Sequence, residues 1–227
     1  MPSVLITGAN RGIGLALARQ YASEGWRVMA TCRDPAAATD LSAVAGDIDL
    51  YALDVTSDES VSALADSLKG QPIDVLFNNA GINLQKGKTV AEVDFASWAK
   101  TFEVNVYAPI RVANAFLPHV AASGQKVMAF TSSRMGSIEL GSAATSMTYR
   151  SSKTALNMAV KVMSNEIADQ GITCVLFHPG HVRTDMGGSS APVLPEDSAA
   201  GMRSVISTLT PEDNGSFRNY DGETLPW

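Results

Sequence analysis

Tyr149 and Lys153 stand four residues apart in "TYRSSKTALN", a spacing that puts both on one face of a helix, about one turn apart. A phenol and an ammonium held side by side bias each other's charge, which is a starting point for proton transfer. The same spacing also fits an ordinary surface pair, so the rest of the chain has to decide. A second set lies in "VLITGANRGIG", where Gly8, Gly12 and Gly14 follow an apolar run and open a helical one. Gly8 suits a tight turn, Gly12 lets the backbone approach a pyrophosphate, and Gly14 lets helix and strand pack closely. The helix start adds free N–H groups and a positive dipole end, with Asn10, Arg11 and Ile13 completing the loop. The spacing is G-x-x-x-G-x-G, and no Lys-Ser/Thr follows the last glycine, which disfavours a P-loop.

The second apolar run ends in "ATCRDP". A free ribose 2′-hydroxyl is usually met by an acid at that strand end, and a 2′-phosphate by an arginine. Cys32 occupies the acid position and Arg33 follows, with Arg11 as a second positive group, so NADP(H) is favoured over NAD(H). Asp34 keeps the alternative open, as an acid one step late or as a surface partner of Arg33.

These residues need elements to hold them. Short runs rich in Val, Ile, Leu and Phe recur at 3–7, 27–31, 49–53, 74–79, 126–132 and 173–177. They do not strictly alternate, as expected of strands buried on both faces of a parallel sheet. Segments with helical spacing lie between them, among them 14–25, 57–70 and 148–171, each closed by a glycine. Strands alternating with helices predict an α/β chain, a doubly wound parallel sheet in a single Rossmann-type domain over 1–227. The Gly-, Ser- and Pro-rich stretch 186–201 reads as a substrate loop or lid. The last residues read as a short strand and a tail.

Composition sets outer limits. With 227 residues, 45% of them hydrophobic, the chain can build a sizeable core. A net charge of −6 disfavours nonspecific nucleic-acid binding. No apolar run approaches membrane-spanning length and the N-terminus has no signal-peptide pattern, so a cytoplasmic protein without membrane association is expected. Cys32 and Cys174 each sit in an apolar run and read as buried free thiols. Met128, Met135, Met147 and Met158 read as packing, His178 and His181 as structural residues, and no metal is expected.

"TGANRGIG", "NNAG" at 78–81, Asn105 in "NVYAP", "TSSRMG" at 131–136, "YRSSK" at 149–153 and "PGHVRTDM" at 179–186 occur in one order. Together they resemble the short-chain dehydrogenase/reductase family. The stretch "SSRMGSI" followed by "YRSSKTALNM" is most similar to its sniffer-type carbonyl reductases and C-factor proteins. The resemblance implies that Tyr149 is the general acid/base and that Lys153 favours its phenolate and bonds the nicotinamide ribose. It implies that Ser133, with Ser132 as the alternative, bonds the substrate oxygen, and that Asn105 holds a helix bend and a water leading to the lysine. Asp54 and Val55 resemble residues lining the adenine, and Asn79, Ala80 and Gly81 the strand end beside its ribose. Pro179, Gly180, Val182 and Thr184 resemble the segment that positions the nicotinamide. The activity so implied is reduction of a ketone or aldehyde, or oxidation of a secondary alcohol. The substrate would be a small molecule, neutral or apolar, since the 186–201 stretch holds few charges besides Glu196 and Asp197. A signalling or regulatory protein of the C-factor type, with little turnover, is the alternative. Pairing into a homodimer or homotetramer is implied through the helix carrying Tyr149, with Met158, Val162 and Met163 as its outward face or as core.

Overall fold

All six apolar runs form strands, and a seventh strand joins them near the end of the chain. The computed structural model describes residues 1–227. The strands are β1 (Ser3–Thr7), β2 (Arg27–Cys32), β3 (Ile48–Ala52), β4 (Val75–Asn78), β5 (Val127–Thr131), β6 (Thr173–His178) and β7 (Ser216–Asn219). They pair in parallel in the order β3-β2-β1-β4-β5-β6-β7. The order reverses at β1, so the connections from β1 and β4 leave on opposite faces and open a crevice at their carboxyl ends, the place where such sheets bind ligands.

The helices are α1 (Gly12–Ser23), a short α2 (Thr39–Ser42), α3 (Asp58–Ser67), α4 (Phe95–Phe102), α5 (Ala108–Ala121), α6 (Met147–Glu166) and α7 (Pro195–Ile206). Alternate residues of each strand serve opposite faces. On β1, Leu5 joins the core under α3, α5 and α6, while Val4 and Ile6 join the core under α1 and α7. Both cysteines are free and buried. No helix is long and apolar enough to cross a membrane.

Two expectations need correction, the extent of the 186–201 loop and the packing role of Met158. The stretch 186–201 is not all loop, because α7 begins at Pro195. Proline is well suited to a first helical position, and Glu196 and Asp197 complement the helix dipole there. Tertiary support completes the helix: buried Ser198 donates to the Pro179 carbonyl at 2.6 Å, and Gln20 of α1 donates to the Glu196 carbonyl at 2.8 Å. The proposed outward face of α6 is divided, with Met158 66% and Val162 56% exposed but Met163, at 9%, part of the core. Met158 is therefore not a packing residue, whereas Met128 is fully buried.

Candidate active site

The loop motifs that follow β1, β4, β5 and β6 lie at the carboxyl edge of the sheet because each begins where a parallel strand ends, whereas helical segments supply Asn105 and the Tyr149–Lys153 pair. The glycine loop follows β1. Gly8 and Gly12 have φ of +67° and +54°, in the left-handed region that disfavours side chains. A Cβ on Gly14 would lie 2.3 Å from the Gly8 carbonyl oxygen, so close helix–strand packing requires glycine there. No side chain caps the start of α1 and no acid stands in its first turn. The Cβ missing from Gly12 would fill the gap toward Thr184, whose Cγ2 it would meet at 3.1 Å. An uncapped helix start behind a bare backbone suits a pyrophosphate.

The β1 and β4 ends are tied together by Thr7, which sequence reasoning did not single out. Its hydroxyl accepts from the Asn79 and Ala80 N–H groups, both at 3.0 Å. Asn79 returns the contact, donating from Nδ2 to the Thr7 and Gly8 carbonyls at 3.0 and 3.2 Å. A threonine just before the first glycine was the available signal.

At the end of β2, buried Cys32 is followed by exposed Arg33, which makes no ion pair. Asp34 accepts from the Ala37 N–H at 3.2 Å within its own turn. Arg11 pairs with Asp185 at 2.7 Å, so its charge is partly engaged. Beyond β3, hydrogen bonds from the Thr56 hydroxyl and N–H hold the Asp54 carboxyl below the usual range. Val55 lies half-buried beside it.

The titratable pair Tyr149 and Lys153 lies on α6. Tyr149 and Lys153 are both buried. Burial pushes the Tyr149 phenol up to about 12, a hydrogen bond with the Ser133 side chain acting the other way. Burial alone brings the Lys153 ammonium down to about 8. Lys153 donates to the Thr131 carbonyl at 2.7 Å and lies 5.7 Å from the Tyr149 ring centroid. The expected lowering of the phenol by its lysine is thus absent, because desolvation dominates and the ammonium is directed at the end of β5. A backbone carbonyl leaves no side-chain signal in sequence, which is why Thr131 was not foreseen.

Ser132 and Ser133 face opposite ways, as successive residues of an extended chain do. Ser132 donates to Asn157 Oδ1 at 2.5 Å, whereas Ser133 Oγ accepts from the Met135 N–H at 3.1 Å and acts to lower the Tyr149 phenol. Asn105 sits in a widened five-residue turn, Glu103–Tyr107, between α4 and α5. Pro109 has no N–H to return to the Asn105 carbonyl four residues back, so a regular turn would lack a bond there. The Asn105 amide donates to Ile82 O at 2.9 Å and Ser152 Oγ at 3.1 Å and accepts from Ile82 N at 2.9 Å. It thereby fixes the chain beyond Gly81, where a Cβ would stand 3.7 Å from Lys153 Nζ.

After β6, Gly180 has φ +88°, and a Cβ there would meet Tyr220 Cε1 at 3.0 Å. Pro179 and Val182 are buried, while Thr184 accepts from the Gly187 N–H at 3.1 Å. His178 is held down to about 4, chiefly by burial, and a ring nitrogen of His181 lies 3.0 Å from the Gly187 carbonyl.

A family model described as short chain dehydrogenase matches residues 2–193. The C-signal of Myxococcus xanthus is 42% identical over 165 residues, 73% of this chain and 99% of that protein. Among solved structures, the carbonyl reductase Sniffer of D. melanogaster superposes with a TM-score of 0.93 at 35% identity, covering 100% of both chains. An NADPH-bound carbonyl reductase from chicken fatty liver does so with a TM-score of 0.92 at 35% identity, covering 100% of this chain and 99% of that one.

Proposed function

The chain belongs to the short-chain dehydrogenase family, and from that premise we propose that it is an NADP(H)-dependent oxidoreductase acting between a ketone or aldehyde and the corresponding alcohol. The observation that carries this reading is the meeting of Tyr149, Ser133 and Lys153 at the crevice that the glycine loop also borders. The nicotinamide, when bound, supplies or accepts the hydride. The start of α1 and Gly12 would hold its pyrophosphate, Arg33 the 2′-phosphate, Asp54 and Val55 the adenine, and the Pro179–Thr184 segment the nicotinamide end. Ser133 hydrogen-bonds the substrate oxygen and orients it toward Tyr149. Tyr149, neutral at pH 7, delivers its proton to that oxygen. Lys153 holds ribose hydroxyls and keeps positive charge beside the developing oxygen charge. Holding donor and acceptor in contact lowers the entropic part of the barrier. The solved reductases from chicken and fly support the cofactor and substrate class by similarity.

Pairing of chains through exposed Met158 and Val162 belongs to the same reading, and sedimentation as a monomer at micromolar concentration rules it out. The likeness to the C-signal favours a second reading, a signalling or regulatory protein with little turnover. The intact Tyr149, Lys153, Ser133 and Asn105 speak against it. Tyr149→Phe tests the choice. It removes one oxygen and should cut carbonyl reduction by about a hundredfold to ten-thousandfold with NADPH binding retained. Turnover near wild type in this variant shows that Tyr149 is not the acid, and no turnover by wild type across a carbonyl panel favours the second reading.

A further inference from the structure

One side chain bridges the segment after β4 and the turn that follows β6. Lys86, in the segment after β4, donates from Nζ to the Met186 carbonyl at 3.1 Å and to the Gly187 carbonyl at 3.2 Å. Its root is fixed to the start of the helix that carries Tyr149. The Gly87 N–H donates to Ser146 Oγ, and the Ser146 N–H donates to the Lys88 carbonyl, both at 2.9 Å. Ser146 is buried and left-handed, with φ +61°, a conformation that costs a non-glycine residue energy and that these two bonds help to hold. The head of Lys86 thus reaches from the frame of α6 to the loop that follows β6.

The loop is held from the opposite wall as well, where Asp185 meets Arg11 of the glycine loop. Between the two attachments the loop is tightly folded: a Cβ on Gly187 would lie 1.9 Å from the Val182 carbonyl oxygen. Both attachments are exposed, the Arg11 and Asp185 side chains being 72% and 79% accessible. Exposed polar contacts of this kind are weak and break readily. A turn that is firm within itself but weakly tied at both rims can move as a unit.

We propose that Lys86 is a positioning residue that latches the 184–188 turn across the cleft, so that its release opens the way for substrate and product. The latch is a property of the free protein, and only its effect on turnover rests on the oxidoreductase reading. Hydrogen–deuterium exchange of residues 184–190 in the ligand-free protein tests the latch, comparing wild type with Lys86→Met and Lys86→Arg. Lys86→Met should speed exchange there severalfold, to about tenfold at most, leaving the central strands unchanged. Lys86→Arg, which keeps donors of similar reach, should restore slow exchange. With carbonyl substrate and NADPH, Lys86→Met should raise KM by about threefold to tenfold while kcat holds or rises. Equal exchange in wild type and Lys86→Met overturns the latch, as does failure of Lys86→Arg to restore it. Altered exchange with unchanged KM overturns the positioning role. Latch-dependent exchange in a protein without turnover supports the latch and counts against the oxidoreductase reading instead.

Discussion

Burial acts oppositely on the two groups at the centre of the site, raising the Tyr149 phenol to about 12 and lowering the Lys153 ammonium to about 8. At pH 7 both still carry their protons, the state suited to protonating a carbonyl oxygen. As pH rises, Lys153 loses its proton first, and with it the charge that steadies the substrate oxygen. Reduction should therefore be flat from pH 6 to 7 and fall with a midpoint near 8, whereas alcohol oxidation, which needs a proton acceptor, should climb over the same range. A midpoint above about 10 in the kcat profile assigns the alkaline limb to Tyr149. At the other end of the cofactor, Arg33→Ala should weaken NADPH by about tenfold to a hundredfold and NADH far less, since only NADPH carries the 2′-phosphate. Fluorescence titration of both cofactors checks this, and equal losses return Asp34 to contention. The residue types and their spacing were legible in sequence, but their protonation was not. Desolvation depends on what tertiary packing places around a group, and so does the split between Ser132 and Ser133, adjacent serines that only the surrounding side chains distinguish.

Elements hold these residues through close backbone contacts that sequence shows only faintly. A short turn, Arg134–Gly136, follows Ser133 and lies against α6. A Cβ on Gly136 would stand 2.8 Å from the Lys153 carbonyl carbon and from its Cβ. Thr154 further ties the two by donating to the Gly136 carbonyl at 2.8 Å. Gly136→Ala should push α6 away from the Ser133 turn, at a cost of about 1–3 kcal/mol in stability. Activity should fall further than stability alone explains, because Ser133 and Lys153 separate. Thermal unfolding and kinetics of the same preparation measure both, and an active variant of unchanged stability shows that the turn can move without disturbing the site. The strands and the alternation with helices were legible because strands buried on both faces read as continuous apolar runs. The start of α7 was hidden by the Gly, Ser and Pro before it, although Pro195 with Glu196 and Asp197 is a helix-start signal. The bend at Asn105 was expected from the family resemblance, while in the residues themselves only Pro109 announced it.

Over the whole molecule, one sheet carries both cores, of 24 and 23 buried residues, so neither face is a minor appendage of the other. Their alternation along β1 and its neighbours means that melting one face strips packing from strands the other face needs. The doubly wound class follows from the order of runs, but strand neighbours do not, since periodicity says nothing of which strands pair. The single domain expected from length and pattern leads to a single cooperative unfolding transition. Three tryptophans sample separate regions: Trp26 packs on Tyr21 of α1, Trp98 donates to Ser151 of α6 at 3.0 Å, and Trp227 stacks on Phe217 of β7. In urea, their summed fluorescence and the far-ultraviolet circular dichroism should share one midpoint and one slope. Variants keeping a single tryptophan, with the others changed to phenylalanine, should each show that same coincidence, even where the midpoint itself moves. If Trp26 reports a midpoint distinct from that of Trp227 after allowance for the substitutions, the α1 side and the β7 edge unfold as separate units, and the single-domain reading gives way to two.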